Sequence, residues 1–311
     1  MATLICGSIA FDSIMVFKGR FKDHILPDQV HMLNVAFLVP ELRREFGGCA
    51  GNIAYNLALL GGAPLPMATV GDDAGPYLER LARLGIAATH VRHVPGTYTA
   101  QAFITTDLDD NQITAFHPGA MSQSHLNRIP GDGSVGLGIV APDGRDGMLQ
   151  HAAQFAEHGI PFVFDPGQGL PMFSGEELLW FIARAAYVAV NDYEARLLVD
   201  KTGLGLATLA QRVKALIVTR GAAGSQIHQG GGVIEIPVAV ARATVDPTGC
   251  GDAYRAGLLH GLAAGMDLST TGRLAAVMGA LKIEQAGGQN HAPSLAQIEE
   301  RFVESFGHRP W

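Results

Sequence analysis

Seven residues in the last third of the chain carry its densest chemistry: Asp246-Pro247-Thr248-Gly249-Cys250-Gly251-Asp252. A helical pattern begins at about Gly249 and runs to about Ala264, so these small residues fall on its first turn. A first helical turn has free N–H groups and the positive end of the macrodipole, and both attract anions. Asp252 sits in that same turn. A carboxylate there can take a proton from an alcohol while the amides hold developing negative charge, which is what moving a phosphoryl group onto a hydroxyl requires. A plainer arrangement fits as well: Gly249 and Gly251 let the helix pack closely on a strand, and Asp252 is an N-terminal helix charge.

Other stretches place polar residues at the ends of apolar runs. Residues 3–10 are apolar and end at Phe11-Asp12. An acid at the C-terminal end of a buried strand lies where open α/β sheets bind ligands, or it caps a turn. In Gly47-Gly48-Cys49-Ala50-Gly51-Asn52 the glycines bring the backbone close to a ligand, and a helix runs from about Asn52 to Gly61-Gly62. Asn52 caps that helix, contacts a ligand, or does both. Asn191-Asp192-Tyr193-Glu194 follows a strand at 187–190 and has the spacing of a capping box. His90 and His93 form H-x-x-H with no third ligand nearby, so no metal site is expected there. Gly131 to Gly136 matches G-x-G-x-x-G but precedes an apolar strand at 137–141, the wrong context for a dinucleotide fingerprint.

Two of these stretches together resemble the signatures of the ribokinase-like carbohydrate and nucleoside kinases, the PfkB family. The first is roughly G-G-x-x-x-N and matches Gly47 to Asn52; the second is roughly D-x-x-G-A-G-D and matches Asp246 to Asp252, with Cys250 in place of the usual Ala. The resemblance covers nearly the whole chain. It implies that Asp252 is the catalytic base and that the amides of Gly249, Cys250 and Gly251 form the anion hole. Asp12, Gly48 and Asn52 would bind sugar hydroxyls. Asn191 and Glu194 match the N-x-x-E motif credited with holding Mg²⁺ and its waters. Thr219, Gly221 and Gly224 match a T-x-G-x-x-G turn that contacts ATP, and the loop at 286–290 with Asn290 would border the adenine. A monovalent cation such as K⁺ near Asp246 is common in the family. The entry F-G-G-C-A-G-N and the run N-Q-I-T-A-F-H-P-G-A-M most resemble adenosine-kinase-type nucleoside kinases. The implied reaction is ATP-dependent phosphorylation of a ribose 5′-hydroxyl, on adenosine, inosine, guanosine or cytidine. A sugar kinase for ribose or fructose is the alternative within the family, and a silent ligand-binding protein the alternative outside it. No Gly-Lys pair exists for a Walker A motif, and the protein-kinase H-R-D and D-F-G runs are missing.

Strand, loop and helix alternate along the chain, from 3–10 through a strand at 63–70 and a helix ending near Leu84-Gly85. That alternation predicts an α/β domain with a mostly parallel sheet between helices, the three-layer fold of the resemblance. Two regions break the pattern, about 13–46 and 97–117. Leu33, Val35, Phe37 and Val39 alternate, and residues 98–104 and 113–115 alternate around a turn at Asp109-Asp110-Asn111. They predict a small β-sheet lid. Gln101, Phe103 and Phe116 lie on the opposite parity or near strand ends; they stack on a nucleobase or simply pack the sheet. Exposed edges of such a lid could pair, so monomer and homodimer both remain open.

Composition narrows the class. The chain has 311 residues, 48% hydrophobic and 16% charged, enough apolar material for a sizeable core. The net charge is −7 with no basic stripe, which argues against a nucleic-acid polymer as partner. Cys6, Cys49 and Cys250 cannot pair completely and show no C-x-x-C, as expected for reduced thiols in a cytoplasm. No apolar run has the length of a membrane span, and the N-terminus lacks the basic region of a signal peptide.

Overall fold

The structure, a computed structural model, describes residues 1–25, 35–109 and 111–311. Thirteen strands form among these residues: β1 (Ala2–Cys6), β2 (Ala10–Val16), β3 (Glu41–Gly47), β4 (Pro64–Val70), β5 (His90–His93), β6 (Ala100–Thr106), β7 (Gln112–His117), β8 (Val135–Val140), β9 (Phe162–Phe164), β10 (Tyr187–Asn191), β11 (Ala215–Thr219), β12 (Ser225–Gln229) and β13 (Gly232–Ile236). The α-helices are α1 (Cys49–Leu59), α2 (Gly75–Arg83), α3 (Arg145–Glu157), α4 (Gly175–Ile182), α5 (Asp192–Thr202), α6 (Leu206–Ala210), α7 (Cys250–Ala263), α8 (Leu268–Ile283) and α9 (Leu295–Phe306).

Nine strands build the main sheet in the order β13-β12-β11-β10-β9-β8-β1-β4-β5. Pairing is parallel from β5 through β11, and β12 and β13 add an antiparallel edge. The central strands β1, β8, β9, β10 and β11 are apolar on both faces, as the middle of a sheet covered on both sides must be. Alternation assigns each side chain to a layer. Leu4, Cys6, Val140, Phe162, Phe164, Val188 and Leu216 pack with residues of α3 to α6. Ile5, Ile139, Val163, Ala189 and Ile217 pack with α1, α2 and α7. Helices α8 and α9 close a third cluster on the outer side of α7, through Leu274, Met278, Ile298 and Phe302.

A separate four-stranded sheet has the order β3-β2-β6-β7. β2 runs antiparallel to β3 and parallel to β6, and β6 and β7 form a hairpin.

Several sequence expectations need correction. The apolar run 3–10 is not one strand: it breaks at 7–9, and Asp12 lies inside β2 of the small sheet, beyond the end of β1. The break is pinned from outside, since Ser8 accepts the Ala50 amide at its carbonyl (2.9 Å) and the Cys49 amide at its hydroxyl (3.1 Å). The strand expected around Leu33 to Val39 is absent at 35–39, and Leu33 lies outside the described residues. The strand that fills this place is β3, Glu-Leu-Arg-Arg-Glu-Phe-Gly. Its charges suit a sheet edge and give no apolar alternation to read. Asn52 does not cap α1, which starts three residues earlier at Cys49.

Candidate active site

The main sheet reverses direction of build between β1 and β8, and such switch points open a crevice at the carboxyl ends of the strands. Residues from those ends converge there with the start of α7. Gly249 caps α7 in the left-handed region at φ 77°, where a side chain is strained and a Cβ would press on the Gly288 Cα at 3.1 Å. At Gly251 a Cβ would meet nothing within 4 Å, so the space in front of the turn is open. The Cys250 thiol points away from that space, toward the Asp246 carbonyl at 3.9 Å.

Asp252 is held from α1: the Asn52 side-chain amide donates to its Oδ2 at 2.8 Å. Burial pushes the Asp252 carboxyl up to about 7, opposed by that hydrogen bond, with the nearby Asp165 and Asp12 charges adding to the rise. One turn later Arg255 makes a bidentate pair with Asp165, 3.1 Å from Nε to Oδ2 and 3.0 Å from the terminal nitrogen to Oδ1. Both partners are buried. Asp165 follows β9 directly, so this pair fixes the helix start onto the sheet end.

Asp12 enters from the small sheet. Burial raises its carboxyl to about 6, helped by repulsion from Glu45 and Asp246. Register puts Asp12 in one row with Glu45, Ala102 and Phe116, on one face. Gln101 and Phe103 fall in neighbouring rows, on the opposite face. Gln101 there donates to Asp73 at 2.9 Å, and Asp73 also accepts from Arg44 at 3.0 Å. Gln101, Phe103 and Phe116 therefore do not share one surface.

Gly48 lies close against the 8–10 backbone, with φ at 84° and a Cβ position 2.6 Å from both the Ala10 nitrogen and the Ser8 carbonyl. Asn191 and Glu194 form the capping box of α5, with the Glu194 amide donating to the Asn191 side chain at 2.8 Å. Burial raises the Glu194 carboxyl above its usual range, with the Asp165 charge adding and Arg255 opposing. Asn191 pairs in register with Thr219, so the ends of β10 and β11 lie side by side. Gly221 and Gly224, at φ 54° and 78°, turn the chain back into β12. Asn290 donates to Glu45 at 2.8 Å and to the Ala286 carbonyl at 2.9 Å.

Sequence reasoning passed over five residues that hold this constellation. Gln289 is buried and donates to Asn52 (3.1 Å) and Tyr77 (2.8 Å). Tyr77 in turn donates to the Gly47 carbonyl at 2.7 Å. Glu45 comes from a charged edge strand and Gln289 from a loop, and neither has a local signal. Asp165 and Arg255 did have one: Asp165 ends an apolar strand as Asp12 was expected to, and Arg255 stands three residues after Asp252 on the same helix face.

Among the described residues, no three His, Cys, Asp or Glu side chains are grouped to hold a metal ion. The Asn191 and Glu194 oxygens are hard donors of the kind Mg²⁺ prefers, and an ion that keeps its waters and phosphate ligands needs little more from the protein. Among the described residues no helix is long and apolar enough to cross a membrane.

Comparison with known proteins bears directly on this geometry. A nucleoside kinase of Methanocaldococcus jannaschii is 32% identical over 271 residues, covering 86% of this chain and 89% of that protein. The solved structure of Burkholderia thailandensis nucleoside kinase in complex with inosine superimposes with a TM-score of 0.90 at 56% identity, covering 99% of each chain. The same enzyme in complex with ADP-inosine gives 0.88 at 58% identity, over 99% of this chain and 97% of that one. The model of the pfkB family carbohydrate kinases matches residues 11–295, both signatures included. With these motifs on a three-layer α/β fold with a small second sheet, the chain belongs to the pfkB family of carbohydrate kinases.

Proposed function

We propose that this ATP-dependent nucleoside kinase uses Asp252 to take the proton from the ribose 5′-hydroxyl as the γ-phosphoryl group arrives. The observation that carries this reading is the Asp252 carboxyl on the first turn of α7, raised to about 7 and aimed by Asn52, beside open space at Gly251. A carboxylate with a pKa near the working pH is a competent base. The Gly249, Cys250 and Gly251 amides stabilise the transferred phosphoryl oxygens. Mg²⁺ bound with ATP supplies charge neutralisation, and Asn191 and Glu194 would hold its waters. Thr219, Gly221 and Gly224 line the ATP side.

On the substrate side, Asp12, Gly48 and Asn52 hold the ribose. Asp12 gains from hydroxyl donors, because its ionised form is otherwise opposed by burial and by Glu45. Of the aromatic lid residues, Phe116 shares a face with Asp12 and is the one we assign to the base. The inosine complexes of the Burkholderia enzyme support a purine nucleoside as substrate over a free sugar.

Steady-state ADP release tests the reading, measured with ATP alone, with ribose, and with adenosine, inosine, guanosine and cytidine. A complete nucleoside should stimulate turnover strongly and ribose far less, because the base adds binding energy for closing the small sheet over the site. Equal kcat/KM for ribose and the best nucleoside would replace this reading with a sugar kinase.

A further inference from the structure

Lys282, near the end of α8, has no exposed surface. Its Nζ donates to the main-chain carbonyls of Asp246, at 2.7 Å, and Gln285, at 2.9 Å. These carbonyls belong to two segments that meet behind the first turn of α7. One runs from Asp246 to Gly249. The other is the loop at 284–290, which carries Gln289 and Asn290. The same segments are also tied by the Gly287 amide on Asp246 Oδ2 (2.8 Å) and, just before each of them, by the Val245 amide on the Ile283 carbonyl (2.9 Å).

A lysine usually carries its ammonium to water, and burying that charge is costly. A Leu or Met side chain would fill the volume without that cost. What the ammonium adds is a positive charge on two converging carbonyls, close to the Asp246 carboxylate. Burial lowers the pKa of the Lys282 ammonium, and the Cys250 and Asp246 groups counter that fall. The Cys250 thiol reaches the same Asp246 carbonyl at 3.9 Å, so thiol and ammonium occupy one recess. Converging carbonyls are the ligands that replace water around a potassium ion, and an ammonium carries the same charge.

We propose that Lys282 is a tethered cation that positions the phosphoryl-holding turn, so that this kinase needs no exchangeable monovalent ion at that point. Lys282 touches neither ATP nor nucleoside; it acts through the Asp246 carbonyl on the residues leading to Gly249. The point near Asp246 at which K⁺ was expected is then filled by the chain itself. The kinetic part of the test rests on the nucleoside-kinase reading, and a second, ligand-free readout does not.

The parent enzyme, Lys282→Ala and Lys282→Met are compared in lithium, N-methylglucamine, potassium and ammonium chlorides at equal ionic strength, about 0.1 M. Melting temperature is read without ligands, and kcat and KM are read with inosine and saturating Mg-ATP. The parent should vary by less than about twofold in kcat across the salts, since general screening is held constant. Lys282→Ala should lose about 10²-fold in kcat in lithium or N-methylglucamine, the scale for a displaced catalytic turn. Potassium or ammonium should restore much of that loss and raise its melting temperature by about 2–4 °C, as expected for an ion bound to the folded state. Lys282→Met, with the recess filled, should stay slow in every salt.

Potassium-specific stimulation of the parent would overturn the proposal. So would a Lys282→Ala enzyme that is fully active in lithium, or one equally impaired in every salt with no shift in melting. If Lys282→Ala fails to fold, the parent's salt profile decides. A parent inactive on all nucleosides would sink the functional reading and leave the melting comparison standing.

Discussion

At the residue scale, the site is a set of carboxylates that the fold holds away from their ordinary acidity. Asp12, Asp252 and Glu194 are all pushed up, mainly by burial and partly by neighbouring carboxylates such as Glu45 and Asp165. In the role we propose, Asp252 works as the ionised form, so kcat/KM should rise with pH and flatten above an inflection near 7. Asp252→Asn should lower kcat by about 10²–10⁴, the range for loss of a general base, and what activity remains should lack that inflection. Near-normal turnover in the variant would remove Asp252 from the chemistry. Asp12 makes a different prediction, because the role we propose for it is to hold ribose and not to move the reacting proton. Asp12→Ala should cost about 2–4 kcal/mol in kcat/KM, the scale for charged hydrogen bonds left unpaired. 2′-Deoxynucleosides should be poor substrates of the parent, and their equal use would count against Asp12 as a ribose ligand.

At the element scale, glycines separate structural from chemical roles. Gly48 turns the chain between β3 and α1 with the backbone of residues 8–10 pressed against it. Gly48→Ala should destabilise the protein by at least about 1–3 kcal/mol, the cost of a strained backbone region before any clash. Denaturant titration measures this, and an unchanged midpoint would mean the turn relaxes without loss. Gly251 is the contrast, exposed on the first turn of α7 with room for a methyl group. Gly251→Ala should leave stability unchanged or raise it by up to about 1 kcal/mol, from helix propensity. If the turn holds phosphate, that same substitution should still raise KM for ATP or lower kcat, because the methyl group stands where the ligand approaches. A Gly251→Ala enzyme with normal kinetics would argue that the open space is not used.

At the scale of the whole molecule, the buried charges couple folding to pH. Asp143 follows β8, is almost fully buried, and is pushed up to about 8 by burial. Its Oδ1 accepts the Gly144 amide at 2.9 Å, while Oδ2 has no partner. A carboxyl whose folded pKa lies above its unfolded value keeps its proton in the folded state. Its contribution to stability is therefore lost as pH rises between the two values, from about 4 to about 8. Asp143→Asn removes that dependence. The variant's advantage in melting temperature over the parent should grow as pH rises through that window. A parallel pair of melting curves would show that Asp143 does not titrate as buried.

The sequence by itself determined the α/β alternation, the two signature motifs and the start of α7, because each is encoded within a few residues. Strand cores such as Val188 to Val190 and the glycine-rich turn before Asp252 carry their own local pattern. The N-x-x-E spacing likewise contained its capping box. Tertiary structure decided the rest. Asp12 belongs to the small sheet because contacts at Ser8 with the start of α1 break the first strand, and nothing between residues 3 and 12 announces it. The edge strand β3 is charged, so its place was settled by pairing with β2. Register alone put Phe116 with Asp12 and sent Gln101 and Phe103 to the other face. The Asn52–Asp252 and Gln289–Asn52 bonds span 200 and 237 residues of sequence. Local propensity carries no information over such separations; only the closed fold brings those groups within reach of one another.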